Sequence, residues 1–301
     1  MSMLLSVLAQ SRRRGFDAGR FVVRVDTNLR SGSTTVLIPV NARTGGDRTI
    51  DWGDGNVTVE NAANPSHTYA TNGVYTIQMY GGTTTDLGNA LDAGWQQTLT
   101  EVVQWGKAIG WTSFFNAFRG CIQNILVPSD FPRVADGYAA DVTTTMRMFQ
   151  DTSAFNQDIG AWNTPNVSNM RSMFQGASAF NQYIGAWDTP NVFNMSTMFQ
   201  GAVAFDQDIG SWPLRTVGLD LNGMLNNSGM STENYSRTLI GWANSVAANS
   251  DTPASVTLGA TGRTYNDTAY VSGQTYNDAV AARAYLTGSP PSWSISDGGQ
   301  V

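Results

Sequence analysis

Residues 148–162 read MFQDTSAFNQDIGAW, residues 173–187 read MFQGASAFNQYIGAW and residues 198–212 read MFQGAVAFDQDIGSW. The starts at 148, 173 and 198 set a period of 25 residues, and a tryptophan closes each copy. A unit this short cannot bury its aromatic and methionine side chains alone, whereas stacked units share one continuous core. The repeat therefore predicts a solenoid in the middle of the chain.

Within one unit, the short Gly-interrupted segment 158–162 is typical of a brief strand. Thr164-Pro165 has the residue types of a helix start, with Thr as N-cap and Pro at the first helical position. The apolar residues that follow are spaced as on one face of a short helix or 3₁₀ turn; they are Val167, Met170, Met173 and Phe174. The predicted unit is strand, cap, short helix and turn.

Before the repeat, β-branched residues alternate with polar ones in short segments separated by Gly, Asn and Asp, which predicts a β-sandwich. The predicted strands are 21–25, 35–40, 49–52, 57–59, 67–69 and 74–79. The turn 51–55 (DWGDG), followed by His67-Thr68-Tyr69 and by 73–77 (GVYTI), resembles the PKD-like domain. Asp51 and Asp54 are interpreted as turn residues rather than a cation site or acid pair, and His67 as a packed histidine rather than a catalytic base.

The repeat units resemble the BspA-like leucine-rich-repeat surface proteins, on residues 148–162 and 166–177 above all. Similarity continues upstream at 103–121 and downstream into a C-terminal cap, where Tyr235, Leu239, Ile240 and Trp242 have amphipathic helix spacing. A second cap helix is expected to start at Asn277-Asp278. The resemblance implies a mixed β and α/β chain: a PKD-like β-sandwich, a leucine-rich-repeat-like solenoid and a helical cap. We expect an arm at 1–20, the sandwich at 21–82, the solenoid at 83–228 and the cap at 229–301.

Composition excludes several function classes. Charged residues make up only 13% of the chain, the net charge is −6 and Lys107 is the only lysine, so nucleic-acid binding is not expected. One Cys and one His exclude an intramolecular disulfide and zinc sites built from several such ligands. No apolar stretch has the length of a membrane span. We expect no metal, no cofactor and no enzyme activity.

Two columns of polar residues vary between the units and are candidate ligand contacts: Asp158, Tyr183 and Asp208 in one, Asn156, Asn181 and Asp206 in the other. The alternative is that they are solvated polar positions without a ligand. An enzyme, such as a glycan hydrolase, would need two carboxylates at catalytic separation. Asp158 and Asp208 lie two units apart, at roughly 10 Å in a strand column, with no visible device to raise a carboxyl pKa.

The N-terminal segment carries a short apolar stripe followed by basic residues; they are Leu4, Leu5, Leu8, Arg12, Arg13 and Arg14. The charge follows the apolar run, unlike in a secretory leader. We therefore interpret the segment as either a frayed terminus or an assembly arm. With no leader expected, the favoured hypothesis is a non-enzymatic phage virion protein (tail fibre, tail tip or head decoration) that attaches to a host surface.

The partners expected under this hypothesis are other virion proteins, bound through the arm, and a host-surface protein or glycan, bound by a multicopy or homo-oligomeric chain whose avidity comes from its many copies. The alternative is a BspA-like adhesin or interaction protein at the bacterial cell surface or outside the cell.

Overall fold

The computed structural model describes residues 17–41, 46–82, 84–88, 92–138, 141–214, 218–248, 255–269 and 271–301. Within these ranges the chain has mixed secondary structure, mostly β with few helices. At this level the class expected from the sequence is confirmed. The proposed arm residues Leu4, Leu5, Leu8 and 12–14 lie outside the described residues.

The described residues up to 104 form strands that are numbered here in chain order: β1 (Phe21–Asp26), β2 (Thr35–Leu37), β3 (Arg48–Asp51), β4 (Val57–Glu60), β5 (Ser66–Thr68), β6 (Val74–Tyr80) and β7 (Leu99–Gln104). Five of them form an antiparallel sheet in the order β4-β3-β6-β1-β7, and β2 pairs with β5. The five strands predicted from alternation, β1 to β4 and β6, are confirmed, and β5 lies at the segment 67–69 that the PKD-like resemblance implied as a strand. Their inward residues, such as Ile50, Ile77 and Met79, are buried in the core.

Two elements after residue 82 were not predicted. Helix α1 (Ala93–Thr98) starts where the Asp92 carboxylate accepts from the Trp95 N–H at 3.0 Å, an N-cap bond. Strand β7 follows directly and pairs with β1. The first sheet thus extends past residue 82, while the proposed domain bounds stay predictions.

From residue 113 on, successive segments contact each other through single-residue parallel bridges: Ser113–Thr144, Thr144–Asn169, Asn169–Asn194 and Asn194–Asp220. The predicted strand at 158–162 is wrong, because these residues form irregular structure and a turn. The predicted short helix is wrong as well, because residues 171–176 form consecutive turns. Thr164 is not an N-cap; its hydroxyl donates to the Asp188 carbonyl of the next unit at 3.0 Å.

Hydrogen bonds of the turn segment alternate between neighbouring units and the segment itself. Every second N–H donates to the next unit at 2.8–2.9 Å; these bonds are Met170 to Asn194, Ser172 to Ser196, Phe174 to Met198 and Gly176 to Gln200. The intervening N–H groups of Met173 and Gln175 bond three residues back. The backbone is left-handed at Ser172 (φ 54°) and Gly176 (φ 69°), which is incompatible with a continuous right-handed helix. We call this pattern the turn ladder.

Aromatic residues of each sequence column lie stacked in the structure. Ring centroids are 5.6 and 5.7 Å apart along Phe149, Phe174 and Phe199, and 6.5 and 6.2 Å apart along Trp162, Trp187 and Trp212. Planes of neighbouring rings within these rows differ by 4° to 6°. All six rings are buried, so the rows form the hydrophobic interior of this part of the chain.

The C-terminal part contains α2 (Thr232–Ala248), β8 (Thr257–Gly259), α3 (Ala279–Thr287) and β9 (Ser294–Ser296). Both predicted helices are confirmed, and Tyr235, Leu239, Ile240 and Trp242 of α2 are buried. Asp278 caps α3 by accepting from the Ala281 N–H at 2.8 Å. Strands β8 and β9 pair in parallel. Two 3₁₀ turns, Thr27–Leu29 and Val134–Asp136, complete the regular elements of the described residues.

Candidate functional site

The column of Asn156, Asn181 and Asp206 is used for contacts between units. The Asn156 side-chain oxygen accepts from the Asn181 N–H at 2.9 Å, and that of Asn181 accepts from the Asp206 N–H at 2.8 Å. The same two oxygens accept from the side-chain amides of Gln182 and Gln207. These groups are therefore already engaged within the protein, which favours a structural role.

Asp206 ends this column at the start of α2. Its Oδ1 accepts from the Ser231 N–H at 2.7 Å and from the Asn234 amide at 2.8 Å. Burial alone would raise the pKa of Asp206, but these hydrogen bonds and the nearby Arg263 outweigh it, and the pKa is lowered. A carboxylate at this position, where earlier units have asparagine, suits the positive end of the helix.

The other candidate column behaves differently. Asp158 Oδ1 accepts from the Gly160 N–H at 2.9 Å, and Asp208 Oδ1 accepts from the Gly210 N–H at 2.8 Å. Both aspartates thus form the short side-chain-to-backbone turn typical of this residue. Tyr183 occupies the same position in the middle unit and cannot make that bond.

Tyr183 instead places its ring on the backbone of Gly185. A Cβ at Gly185 would lie 2.7 to 2.8 Å from the Cε2, Cζ and Oη atoms of the ring, so the ring packs closely over this glycine. The side chain is nevertheless 58% exposed. The result is an aromatic ring that is held against the backbone on one side and open to solvent.

A groove with a volume of about 380 Å³ and a mixed polar and apolar lining lies one unit further along. It is lined by Asp208, Gly210 and Ser211 of the repeat segment, by Arg237 and Asn244 of α2, and by Gln274 of the following loop, among others. Ser211 also donates its hydroxyl to the Gly185 carbonyl at 2.6 Å. This bond joins the groove to Gly185, and Tyr183, which is not one of the lining residues, occupies the position of Asp208 in the preceding unit. We call this surface, from Tyr183 to Gln274, the Tyr183 groove.

Two glycines set the floor of this groove. A Cβ at Gly241 of α2 would overlap the carbonyl of Gly210, so the helix crosses the last unit at backbone contact. Gly210 in turn has the Arg237 carbonyl 2.7 Å from its Cβ position. The close crossing brings Arg237 and Asn244 beside Asp208.

Residues 117–238 match the model of a family described as Mycoplasma protein of unknown function, DUF285. This match is compatible with a surface or adhesin-like protein and consistent with the BspA-like resemblance. It covers Tyr183, Asp208 and Arg237 of the Tyr183 groove. Neither the curated proteins nor the solved structures contain a significant match to the chain.

Of the candidate ligand contacts, Asp208 lines the groove, Tyr183 occupies the equivalent position one unit before it, and Asp158 lies one unit before Tyr183. Sequence reasoning missed Arg237, Asn244 and Gln274, which come from the C-terminal part. The glycine inside the amphipathic pattern of α2, Gly241, was the available signal, because an interior helix glycine often marks a close approach.

A second candidate surface lies on the turn-ladder side of the DUF285-matching part. It has a shallow depression of about 370 Å³. A column of hydrogen-bonded glutamines ends at its lining residue Gln200: the Gln150 amide donates to the Gln175 side-chain oxygen at 2.9 Å, and Gln175 donates likewise to Gln200 at 2.8 Å. The glutamine column repeats without interruption from unit to unit. Other columns on this side do vary, with Met146, Arg171 and Ser196 in one of them, but none of these residues is aromatic.

The histidine of the first sheet has a packed environment. His67 Nε2 lies 2.7 Å from Asp54 Oδ2, and its ring stacks on Trp52 and meets Tyr69 edge-on. Burial would raise the pKa of Asp54, but hydrogen bonds from His67 and Asn56 outweigh it and lower the pKa to about 2. Since the unfolded carboxyl titrates near 3.8, this group stabilises the fold above that pH and loses its effect as pH falls towards 2. The geometry fits the structural interpretation of both residues.

Two further searches concern the described residues only. No group of three or more His, Cys, Asp or Glu side chains in them is placed to hold a metal ion. Within the same part of the chain, no helix has both the length and the apolar composition needed to cross a membrane.

Proposed function

We propose that this chain is a non-enzymatic surface-interaction protein that attaches to its partner through the Tyr183 groove. The DUF285 match supports the surface role. The observation that carries the choice of surface is Tyr183 itself. It replaces an aspartate that bonds its own turn in the neighbouring units, and it exposes a large ring instead.

That replacement exchanges a hydrogen bond for an aromatic ring that stays 58% exposed. The lost side-chain-to-backbone bond is worth about 1 kcal/mol, and an exposed aromatic side chain adds little to folding. Residues that differ from the equivalent residues of neighbouring units, at a cost to local structure, are expected at functional surfaces. The stacked units beneath the ring provide a rigid base, and several copies of the chain on one surface would add avidity.

The test replaces Tyr183 by the residue that the neighbouring units have at this position. Tyr183→Asp reproduces the residue of both neighbouring units, so it keeps the fold. We expect the labelled full chain to bind saturably to at least one member of a panel of intact bacterial and epithelial cells, measured by flow cytometry. Tyr183→Asp should weaken that binding by about tenfold or more, the equivalent of about 1.4 kcal/mol.

The matched control is Val203→Ser. Val203 is also an exposed apolar residue, 63% accessible, and serine stands at the equivalent positions 153 and 178. This variant should bind as the original chain does. Absence of saturable binding to every cell type, or equal binding by Tyr183→Asp, would refute the proposal.

A narrower form of the proposal is a phage virion protein that uses residues 1–20 as its assembly arm. It rests on the apolar and basic arm sequence, which the DUF285 match does not reach. Purified particles should contain the full chain but not a version lacking residues 1–20, as measured by mass spectrometry. Equal recovery of both versions, or of neither, would reject the arm hypothesis and leave the surface-interaction proposal standing.

A further inference from the structure

The Tyr183 groove combines an aromatic face with a mixed set of polar side chains. Its open end is the exposed ring of Tyr183, supported from below by Gly185. Its deeper part contains the carboxylate of Asp208, the guanidinium of Arg237 and the amide of Gln274. This deeper part, which Tyr183 does not line, has a volume of about 380 Å³, within the usual range of small-ligand sites.

The ring favours a ligand with a flat face of C–H groups. The face of an aromatic ring is negative and attracts the slightly positive hydrogens of such a surface. Because the Tyr183 ring already rests on backbone, it loses little conformational freedom when a ligand stacks on it. A pyranose ring has this kind of C–H face together with hydroxyl groups at its rim.

The polar part of the groove suits hydroxyl groups. Asp208 uses Oδ1 for its bonds with the Gly210 N–H and the Thr238 hydroxyl, so among the described contacts Oδ2 is left to accept from a ligand. Gln274 is exposed and offers both a donor and an acceptor. Arg237 is held by Glu233 at 3.0 Å and remains partly exposed.

Charge and polarity exclude other ligand classes. Asp158 and Asp208 lie in the same column on both sides of Tyr183, so an acidic ligand would be repelled. The Arg237 charge is largely balanced by Glu233. The groove is open and about half of its lining is polar, so it gives a purely apolar ligand no enclosed cavity to fill.

We propose that the Tyr183 groove binds a neutral oligosaccharide, with one sugar ring stacked on Tyr183 and the next one hydrogen-bonded to Asp208 and Gln274. This inference rests on the proposed function and names its ligand class. The two sugar positions follow the groove from the middle unit to the cap.

The test uses an immobilised panel of defined di- to tetrasaccharides: neutral gluco-, galacto-, manno- and N-acetylglucosamine oligomers, with sialylated and uronate-containing ones as the acidic set. The labelled full chain is applied as a multivalent complex. We expect binding to at least one neutral member and none to the acidic set. Tyr183→Asp should weaken it about tenfold or more, whereas Tyr183→Phe, which keeps the ring, and Val203→Ser should stay within about threefold, or roughly 0.7 kcal/mol.

Three results would overturn the inference: no binding to any neutral member, binding to acidic members alone, or equal binding by Tyr183→Asp. Mild periodate treatment of the cells that bind the chain tests the oligosaccharide inference separately from the proposed function. Periodate cleaves vicinal diols of sugars, so it removes sugar ligands and leaves protein ligands. Tyr183-dependent binding that survives periodate but not protease would support attachment to a protein and reject the oligosaccharide. Binding that is lost with periodate supports both proposals.

Discussion

Replacing Trp187 by alanine is expected to lower the free energy of unfolding by about 3–5 kcal/mol, the usual cost of removing a large buried aromatic side chain. Trp187 lies in the centre of its row, with ring centroids 6.5 Å from Trp162 and 6.2 Å from Trp212. Its indole N–H also donates to the Ile159 carbonyl at 3.1 Å. The substitution leaves a cavity and two rings without their neighbour, and it removes one of the two hydrogen bonds that the Ile159 carbonyl accepts, the other coming from the Trp162 N–H.

The measurement is urea unfolding followed by circular dichroism. Asp188→Asn is the matched control: the side chain is exposed, and asparagine stands at the equivalent position 163. It should unfold within about 0.5 kcal/mol of the original chain. A loss below about 1 kcal/mol for Trp187→Ala would mean that the row contributes little to stability, contrary to the packing seen here.

Gly241→Ala is expected to destabilise the protein, although in an ordinary helix this change stabilises by up to about 1 kcal/mol. The reason is the crossing of α2 over the last unit, where a Cβ at Gly241 would overlap the backbone of Gly210. Backbone cannot move aside as a flexible side chain can, so α2 has to shift outward. Overpacking of this kind costs about 1–3 kcal/mol.

Thermal unfolding gives the sign of the effect directly. The control Ala247→Gly changes an exposed position of the same helix and measures helix propensity alone. We expect both variants to lower the melting temperature, whereas propensity alone predicts opposite shifts. A higher melting temperature for Gly241→Ala would show that α2 does not depend on this contact.

The first sheet could be predicted from the sequence because alternation of apolar and polar residues is a local signal. Strands β1 to β4 and β6 follow it, and the two C-terminal helices follow other local signals, amphipathic spacing in α2 and a capping pair in α3. Strand β7 was missed, although Leu99 and Val102 are buried in it, because it follows the predicted end of the domain and pairs with the distant β1. Pairing between distant segments leaves no trace in a local pattern.

The internal structure of the unit was predicted wrongly for a physical reason. The spacing of Val167, Met170 and Met173 fits one face of a helix, but consecutive turns bring every third residue inward as well. The distinguishing feature is the left-handed backbone at Ser172 and Gly176. Glycine at 176 and 201 hinted at it, whereas the serine at 172 gave no sign.

The candidate site was predictable in part. Tyr183 was found because it departs from its own repeat, which a single sequence shows. The structural role of Asn156 and Asn181 was not predictable. Their side-chain oxygens accept hydrogen bonds from the next unit, which only the structure shows. Arg237 and Gln274 lie beyond the repeat in the sequence, and the backbone crossing at Gly210 and Gly241 brings them to the groove.

The turn ladder also makes the chain extendable in fixed steps. Each unit accepts from the preceding unit the same backbone hydrogen bonds that it donates to the next one. A duplicated unit would therefore need no new kind of contact. It would lengthen the stack by one ring spacing, such as the 5.7 Å between Phe174 and Phe199. A duplication before Tyr183 would leave the groove whole and only move it outward. A duplication after Asp208 would separate that residue and Tyr183 from Arg237 and Gln274. Unit duplications before Tyr183 can therefore lengthen the protein and keep the groove, whereas duplications after Asp208 disrupt it.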